Sequence, residues 1–323
     1  MGTRLAIIIV NYRTPGLTVD CLRSLAPEVA ANPGTRVVVV ENGSGDDSGA
    51  KIKDAIDGNR WSAWCTLIVT EKNWGFAGGN NRGQERVMQE GGADYVLLLN
   101  SDTLVQPGCL KQTVELMEAD RGIGLLSCRL LNKDGSAQNV CRKFPSPLRC
   151  VIGAFSLPWK MPRLFGWADC EDLTWDRNTV ARDVDWLGGA FMLIRGEWLA
   201  KHKGLDERFF FYGEDIEICH RVWRTGYRCH YDPTSTVVHL GGSSSDPTRM
   251  AAGTRSVHSW RGRYLVQRFC YGRTADWLLR WVDLINVRLR LMFNRGKGPK
   301  EQELSEALGM LRDNWSKWNE RRA

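Results

Sequence analysis

Leu5-Ala6-Ile7-Ile8-Ile9-Val10 is an unbroken apolar run that stops on a polar residue, Asn11. Val37 to Val40 repeats the pattern and ends in Glu41-Asn42-Gly43-Ser44-Gly45-Asp46-Asp47. Thr66 to Val69 is a third run, followed by Asn73-Trp74-Gly75-Phe76-Ala77-Gly78-Gly79-Asn80-Asn81, and Tyr95 to Leu99 is a fourth, delivering Asn100-Ser101-Asp102. Short, continuous, β-branched-rich runs of this kind predict strands buried on both faces. Between them the spacing becomes helical: Leu17, Cys21, Leu22 and Leu25 after Thr14-Pro15 predict a short helix, and a second runs to about Gln89. Strands alternating with helices predict an α/β fold with a mostly parallel central sheet flanked by helices.

The second half is less regular. Gly122 to Cys128 reads as another strand, but from Arg142 to Arg182 periodicity dissolves among four prolines and Trp159, Trp167 and Trp175. This predicts a long loop or small subdomain over the active face, and long ordered loops are usually functional. Regularity returns at Val184 to Ile194. Ile216, Cys219, Val222 and Trp223 then line one face of a helix opened by Gly213-Glu214-Asp215. Tyr227 to Tyr231 and Thr236 to Leu240 read as two closing strands. Beyond Arg261, paired tryptophans and leucines interleave with arginines from Arg273 to Lys300, and the last ~20 residues read as a plain charged helix. The chain is therefore expected to hold one large α/β domain over 1–250, whose pattern changes near 128, and a basic, Trp-rich, amphipathic helical extension over 251–323. Such an extension either lies in a membrane interface, through 261–300, or packs on the catalytic domain.

Composition narrows the classes. With 323 residues, 43% hydrophobic and 25% charged, the chain is an ordinary globular protein. A net charge of +7 suits anionic substrates or anionic lipid, and is too weak to argue for nucleic acid. Ten cysteines are scattered, without a Cys-x-x-Cys pair or zinc spacing, which favours a reduced, cytoplasmic compartment. The longest apolar stretch, Trp186 to Ile194, has nine residues, so no membrane span and no signal peptide is expected.

The strand ends carry the candidate chemistry. An acid at the carboxyl end of a buried parallel strand sits where open α/β sheets bind ligands, and Asp102 in that position can hold a hard cation against a diphosphate. Asp and Ser also favour helix caps, so a capping role for this loop stays open. Glu214-Asp215 carries the same ambiguity between a cap and a functional acid. The Gly-rich stretch at 75–79 does not follow the first strand, and that strand lacks a Gly-x-Gly-x-x-Gly, which argues against a dinucleotide-dependent dehydrogenase. Asn11-Tyr12-Arg13-Thr14 is equally unlike the basic Gly-rich loop of a nucleotidyltransferase.

Seven motifs in order resemble family 2 glycosyltransferases, especially the bacterial rhamnosyltransferase-like branch. They are Val10-Asn11-Tyr12, Val40-Glu41-Asn42-Gly43-Ser44, Asn73 to Asn80, Leu99 to Asp102, Gly188-Gly189-Ala190-Phe191, Phe211 to Asp215, and Val238-His239. The resemblance spans about 5–245 and implies a GT-A fold and an inverting, metal-dependent transfer from a nucleotide sugar. It implies Mg²⁺ or Mn²⁺ on Asp102, with His239 completing the shell, and Asp215 as general base, with Glu214 orienting the acceptor or replacing it. The donor, a dTDP- or UDP-sugar and foremost dTDP-rhamnose, would meet Asn11, Tyr12, Glu41, Asn42, Asn73, Gly75, Gly79, Asn100 and Ser101. A glycan or lipid-linked saccharide acceptor would lie against Trp186, Gly188 and Gly189. Asn100 stands where many relatives carry Asp, and Glu41 where Asp is commoner. A non-catalytic nucleotide-sugar or glycan-binding module with this fold is the alternative expectation.

Overall fold

The computed structural model describes residues 3–241, 254–294, 298, 304–305, 307–309 and 311–312. Most of the charged segment expected at the carboxyl end, together with Arg295, Lys297 and Lys300, lies outside the described residues. The chain divides into two compact units, residues 1–143 with 171–252, and residues 144–170 with 253–323.

The first unit opens with β1 (Leu5–Asn11), α1 (Pro15–Ala31), β2 (Thr35–Glu41), α2 (Ser48–Gly58), β3 (Cys65–Val69), α3 (Gly75–Gln89) and β4 (Tyr95–Asn100). After β4 come a three-residue strand β5 (Thr103–Val105), α4 (Cys109–Ala119), β6 (Ile123–Leu131) and β7 (Cys141–Arg142). The second unit takes over for α5 (Pro147–Ala154), α6 (Leu157–Lys160) and α7 (Pro162–Phe165). The chain then returns to the first through β8 (Arg182–Asp183), β9 (Trp186–Leu187), β10 (Phe191–Arg195), α8 (Gly196–Lys201), α9 (Glu214–Arg224) and β11 (Arg228–His239). The second unit closes with α10 (Thr254–Val266), a π-helical turn at Gln267–Tyr271 and α11 (Arg273–Phe293). Among the described residues no helix is long and apolar enough to cross a membrane.

The α/β expectation holds. The main sheet runs β3-β2-β1-β4-β10-β6-β11-β5, with β8 beside β11. Its first four strands are parallel in the register Asn11 opposite Glu41 and Val10 opposite Asn100, so their polar ends share one edge. Ile7, Ile8, Ile9, Val39, Val40 and Leu97 are buried there, as two-faced burial requires. β10 enters antiparallel between β4 and β6, placing Ala190 next to the end of β4, where its carbonyl accepts the Asn100 N–H at 3.0 Å.

Several elements differ from expectation. The two closing strands are one strand, β11, whose pairing with β6 shifts between Asp232 and Thr236, on either side of Pro233. The first helix continues through Pro27 to Ala31. Its buried Glu28 accepts the N–H groups of Gly108 (2.7 Å) and Leu110 (3.0 Å), satisfying two donors at the start of α4. Within the irregular region, residues 144–170 form three short helices and a 3₁₀ turn (Gly166–Ala168) that belong to the second unit, while 171–182 belong to the first.

Two glycines set the distance between α3 and the sheet. A Cβ on Gly83 would lie 2.4 Å from Ile8 Cγ2, and one on Gly79 would lie 2.8 Å from Val10 Cγ1. Gly83→Ala is therefore expected to cost about 1–3 kcal/mol by overpacking. Gly16→Ala in α1, with nothing within 4 Å of the added carbon, should be neutral or slightly stabilising. Urea denaturation of both variants checks the contrast, and equal midpoints would contradict it.

Candidate active site

β5 and β11 pair antiparallel, with Thr103 opposite His239 and Val238 opposite Leu104. That register carries the His239 ring to the end of β4. Its Nε2 lies 3.3 Å from Asp102 Oδ1 and 3.4 Å from Asn100 Nδ2, while the Leu240 N–H donates to the Asp102 carbonyl at 2.9 Å. Both side chains are largely buried, with 5% of Asp102 and 16% of His239 exposed.

Gln138 fixes the tautomer of this histidine. Its Nε2 donates to the His239 carbonyl and to Asn132 Oδ1, both at 2.8 Å, and its Oε1 faces His239 Nδ1 at 2.8 Å. An acceptor there requires the proton on Nδ1, which leaves a lone pair on Nε2 in the neutral ring, aimed at a carboxylate. A lone pair and a carboxylate at that distance repel unless a proton or a cation lies with them. A carboxylate plus an imidazole nitrogen suits Mg²⁺ or Mn²⁺ with the remaining positions left to substrate oxygens. Among the described residues no third His, Cys, Asp or Glu joins them, and Asn100 contributes only an amide.

The neighbouring strand ends are laced together. Asn11 is fully buried, and its Oδ1 accepts from the Thr14 N–H (3.3 Å), Thr14 Oγ1 (3.2 Å) and Thr18 Oγ1 (2.9 Å), organising the start of α1. Its Nδ2 is buried without a partner. Ser101 Oγ lies 3.4 Å from Thr14 Oγ1. Buried Glu41 accepts the Ser44 N–H at 2.9 Å, and Ser44 Oγ accepts the Arg13 N–H at 2.9 Å, which ties the loop carrying half-buried Tyr12 to the end of β2. Asn42 donates to Asn73 Oδ1 (3.1 Å) and the Gly75 carbonyl (2.9 Å), and accepts the Trp74 N–H (3.1 Å). Asn42 and Asn73 thus act on each other and on backbone.

The Gly-rich stretch serves packing. Gly75 has φ +73°, and a Cβ on it would lie 2.2 Å from the Phe210 carbonyl oxygen. The same carbonyl accepts the Phe76 N–H at 2.8 Å, which seats the approach to α9 on the start of α3. Gly79 abuts Val10 rather than open space. None of these needs a ligand to explain why glycine stands there.

α9 begins after Tyr212 (φ +70°) and Gly213 (φ +99°). Glu214 is buried with Oε2 unpartnered, and burial, then the adjacent Asp215 carboxylate, pushes its carboxyl well above the usual range. Burial also raises Asp215, partly offset by the Ile216 N–H that donates to Oδ1 at 2.9 Å and by the Arg142 guanidinium. The pair therefore sheds its protons later than exposed carboxyls do. Opposite them, a Cβ on Gly189 would stand 3.8 Å from both Asp215 Cβ and Phe76 Cε1, an ordinary contact that leaves Gly189 unstrained.

Asp102 and Asp215 are thus joined through Asn100, Ala190 and Gly189, at one end of the sheet. The Gly188 N–H donates to the Val140 carbonyl at 2.9 Å, and Trp186 Nε1 to the Lys143 carbonyl at 3.0 Å. Arg142, paired with Trp186 in the small β7–β9 sheet, lies 5.5 Å from the Trp186 ring centroid and bridges to Glu171 at 2.8 Å. Gln138 and Arg142 were not singled out from the sequence. Both stand in an irregular stretch, and their partners are distant in the chain.

The profile of "Glycosyl transferase family 2" matches residues 6–168. The chain is 26% identical over 310 residues to a Mycobacterium tuberculosis N-acetylglucosaminyl-diphospho-decaprenol L-rhamnosyltransferase, covering 88% of this chain and 91% of the other. It is 31% identical over 150 residues to rhamnosyltransferase WbbL of Escherichia coli, covering 45% of this chain and 52% of that one. A mannosyltransferase from Pyrobaculum calidifontis, solved in complex with GDP-Man and Mn²⁺, superposes with a TM-score of 0.56 at 15% identity, over 96% of this chain and 81% of that one. GalNAc-T7 with UDP, GalNAc and Mn²⁺ gives a TM-score of 0.57 at 15% identity, over 99% and 57%. At such identities the structures speak to the fold, which is of GT-A type, while the sequence match is the stronger statement: this chain belongs to glycosyl transferase family 2.

Proposed function

We propose that this enzyme moves L-rhamnose, from dTDP-rhamnose, to a glycan or lipid-linked saccharide during cell-surface polysaccharide synthesis, with inversion at the transferred carbon. The reading is supported foremost by the approach of His239 Nε2 to Asp102 at 3.3 Å, with the Nδ1 proton committed to Gln138. The relatives that are named rhamnosyltransferases favour the sugar, and the name of the mycobacterial one favours a diphospho-lipid acceptor. In this reading residues 1–128 form the donor half and 129–250 the acceptor half. The enzyme would work in the cytoplasm, on the inner face of the cell membrane.

Each side chain then has a task. Asp102 and His239 would hold Mg²⁺ or Mn²⁺, which neutralises the charge that builds on the departing nucleoside diphosphate. Glu41, Asn11 and Tyr12 border the place of the nucleoside, and the Asn42–Asn73 pair keeps the adjoining loop in shape. Asp215 takes the proton of the acceptor hydroxyl as its oxygen bonds the sugar carbon and the diphosphate leaves from the opposite side. Glu214, buried beside it, orients the acceptor. Trp186, with Gly188 and Gly189, gives a sugar ring an aromatic surface and space.

Asp215→Asn should lower kcat by about 10²–10⁴-fold while stabilisation by the nucleotide, read by thermal shift, persists; full activity would remove Asp215 from the role of base. Because a base works deprotonated and burial raises this carboxyl, kcat/KM should fall on the acid side at a pH above the ordinary carboxylate range. A profile flat down to pH 4 would contradict that assignment.

Among UDP-, dTDP- and GDP-sugars, dTDP-rhamnose with Mn²⁺ should raise Tm the most. EDTA, or His239→Ala, should shrink that shift and slow turnover. An equal shift in chelator would detach Asp102 and His239 from the metal.

A further inference from the structure

The second unit carries its polarity inside out. α11 turns Leu279, Leu284 and Val287 inward together with Asp276, Arg280 and Asp283. Leu279 and Val287 join a cluster with Cys150, Tyr264, Leu304 and Leu311. The inward charges are matched: Arg280 Nε donates to Asp276 at 2.6 Å, and Asp283 accepts the Tyr264 hydroxyl at 2.9 Å and pairs with Arg263 at 3.3 Å. The opposite face is apolar and exposed. Trp277 (59% exposed), Trp281 (39%), Ile285 (48%), Leu289 (41%) and Met292 (64%) follow one another at three- and four-residue steps. A helix in water shows the reverse arrangement.

The same unit exposes further apolar side chains. Asn286, at the edge of the stripe, donates to the Ala154 carbonyl at the end of α5. The chain that follows exposes Trp159, Met161, Leu164 and Trp167. Charge separates the same way. Residues 144–170 and 253–323 hold 18 of the 44 Lys and Arg and 8 of the 37 Asp and Glu, a net +10 that leaves −3 on the rest of the chain. Exposed Arg288 and Arg290 flank the stripe, and Lys160 and Arg163 interleave with the tryptophans of the preceding segment.

We infer that this face docks on the headgroup region of an anionic bilayer. Tryptophan and leucine enter the boundary between headgroups and acyl chains, and the arginines meet lipid phosphates. Charge complementarity selects lipid over an apolar protein groove: exposed Lys160, Arg163, Arg288 and Arg290 stand among the apolar side chains, and a unit with a net +10 repels a second copy of itself. The inference rests on the membrane-side placement in the proposed function and is independent of the chemistry assigned to Asp102 and Asp215.

The full chain is floated with vesicles of phosphatidylcholine alone and with 30 mol% phosphatidylglycerol, a composition on the order of that in anionic bilayers. The expected result is binding to the anionic vesicles, a blue shift of tryptophan fluorescence, and weakening at 0.5 M salt, where the Debye length falls to several Å. Trp277→Glu/Trp281→Glu, at exposed positions, should reduce binding about tenfold or more, while Tm and the thermal shift with nucleotide stay as in the parent. No flotation with either composition would overturn the inference. So would a concentration-dependent dimer, seen by sedimentation velocity, that the same variant dissociates. Loss of the nucleotide response with vesicle binding intact would instead count against the donor-site reading alone.

Discussion

The pairing of β5 with β11 is the constraint on which the site depends. A strand of three residues has little stability of its own, and its place at the sheet edge is fixed by hydrogen bonds to β11. That pairing sets Thr103 opposite His239 and so brings an imidazole from one end of the unit against a carboxylate on the β4–β5 turn. The two groups are 137 positions apart in the chain, and only the register holds them together. Gln138 adds the second constraint by spending the Nδ1 proton, so that the nitrogen facing Asp102 carries a lone pair. With the ring neutral, the geometry is one that a cation stabilises, which is the physical basis of the proposed metal site.

The second acid pair is held by different means. α9 starts after two residues at positive φ, and the Phe210 carbonyl anchors that approach to the Phe76 N–H on α3. Gly189, beside Ala190 on the sheet edge, lets the backbone pass in front of Asp215. Burial raises both the Glu214 and the Asp215 carboxyls above the usual range, and the two neighbours bear on each other. An acid that releases its proton late is also a stronger base when ionised, which suits it to deprotonate a sugar hydroxyl.

Much of this was legible in residue order, for physical reasons. β1, β2 and β4 lie between layers of helices and must be apolar on both faces, so their runs are unambiguous and their polar terminal residues mark the edge where ligands bind. The acids at 102, 214 and 215 stood out because each follows a buried run or opens a helix. Other features were hidden. α2 buries Ser48, Ile52 and Ile56 in an otherwise polar sequence, and β5 is too short to show a period. The places of Gly75, Gly79 and Gly83 answer to Phe210, Val10 and Ile8, neighbours that only the fold supplies. Gln138 and Arg142 gain their meaning from His239 and Asp215 in the same way. The inverted α11 carried an amphipathic pattern in sequence, but that its charged side faces inward, with Asp283 bonded to Tyr264 of α10, appears only in the fold.

Electron spin echo spectroscopy of Mn²⁺ bound together with a nucleoside diphosphate reads the central feature most directly. A ¹⁴N modulation from a coordinated imidazole should appear in the parent protein and vanish in His239→Gln, with ³¹P coupling to the diphosphate retained in the parent. A spectrum from bound Mn²⁺ with phosphorus coupling and no nitrogen coupling would contradict the arrangement of Asp102 and His239 around a shared cation.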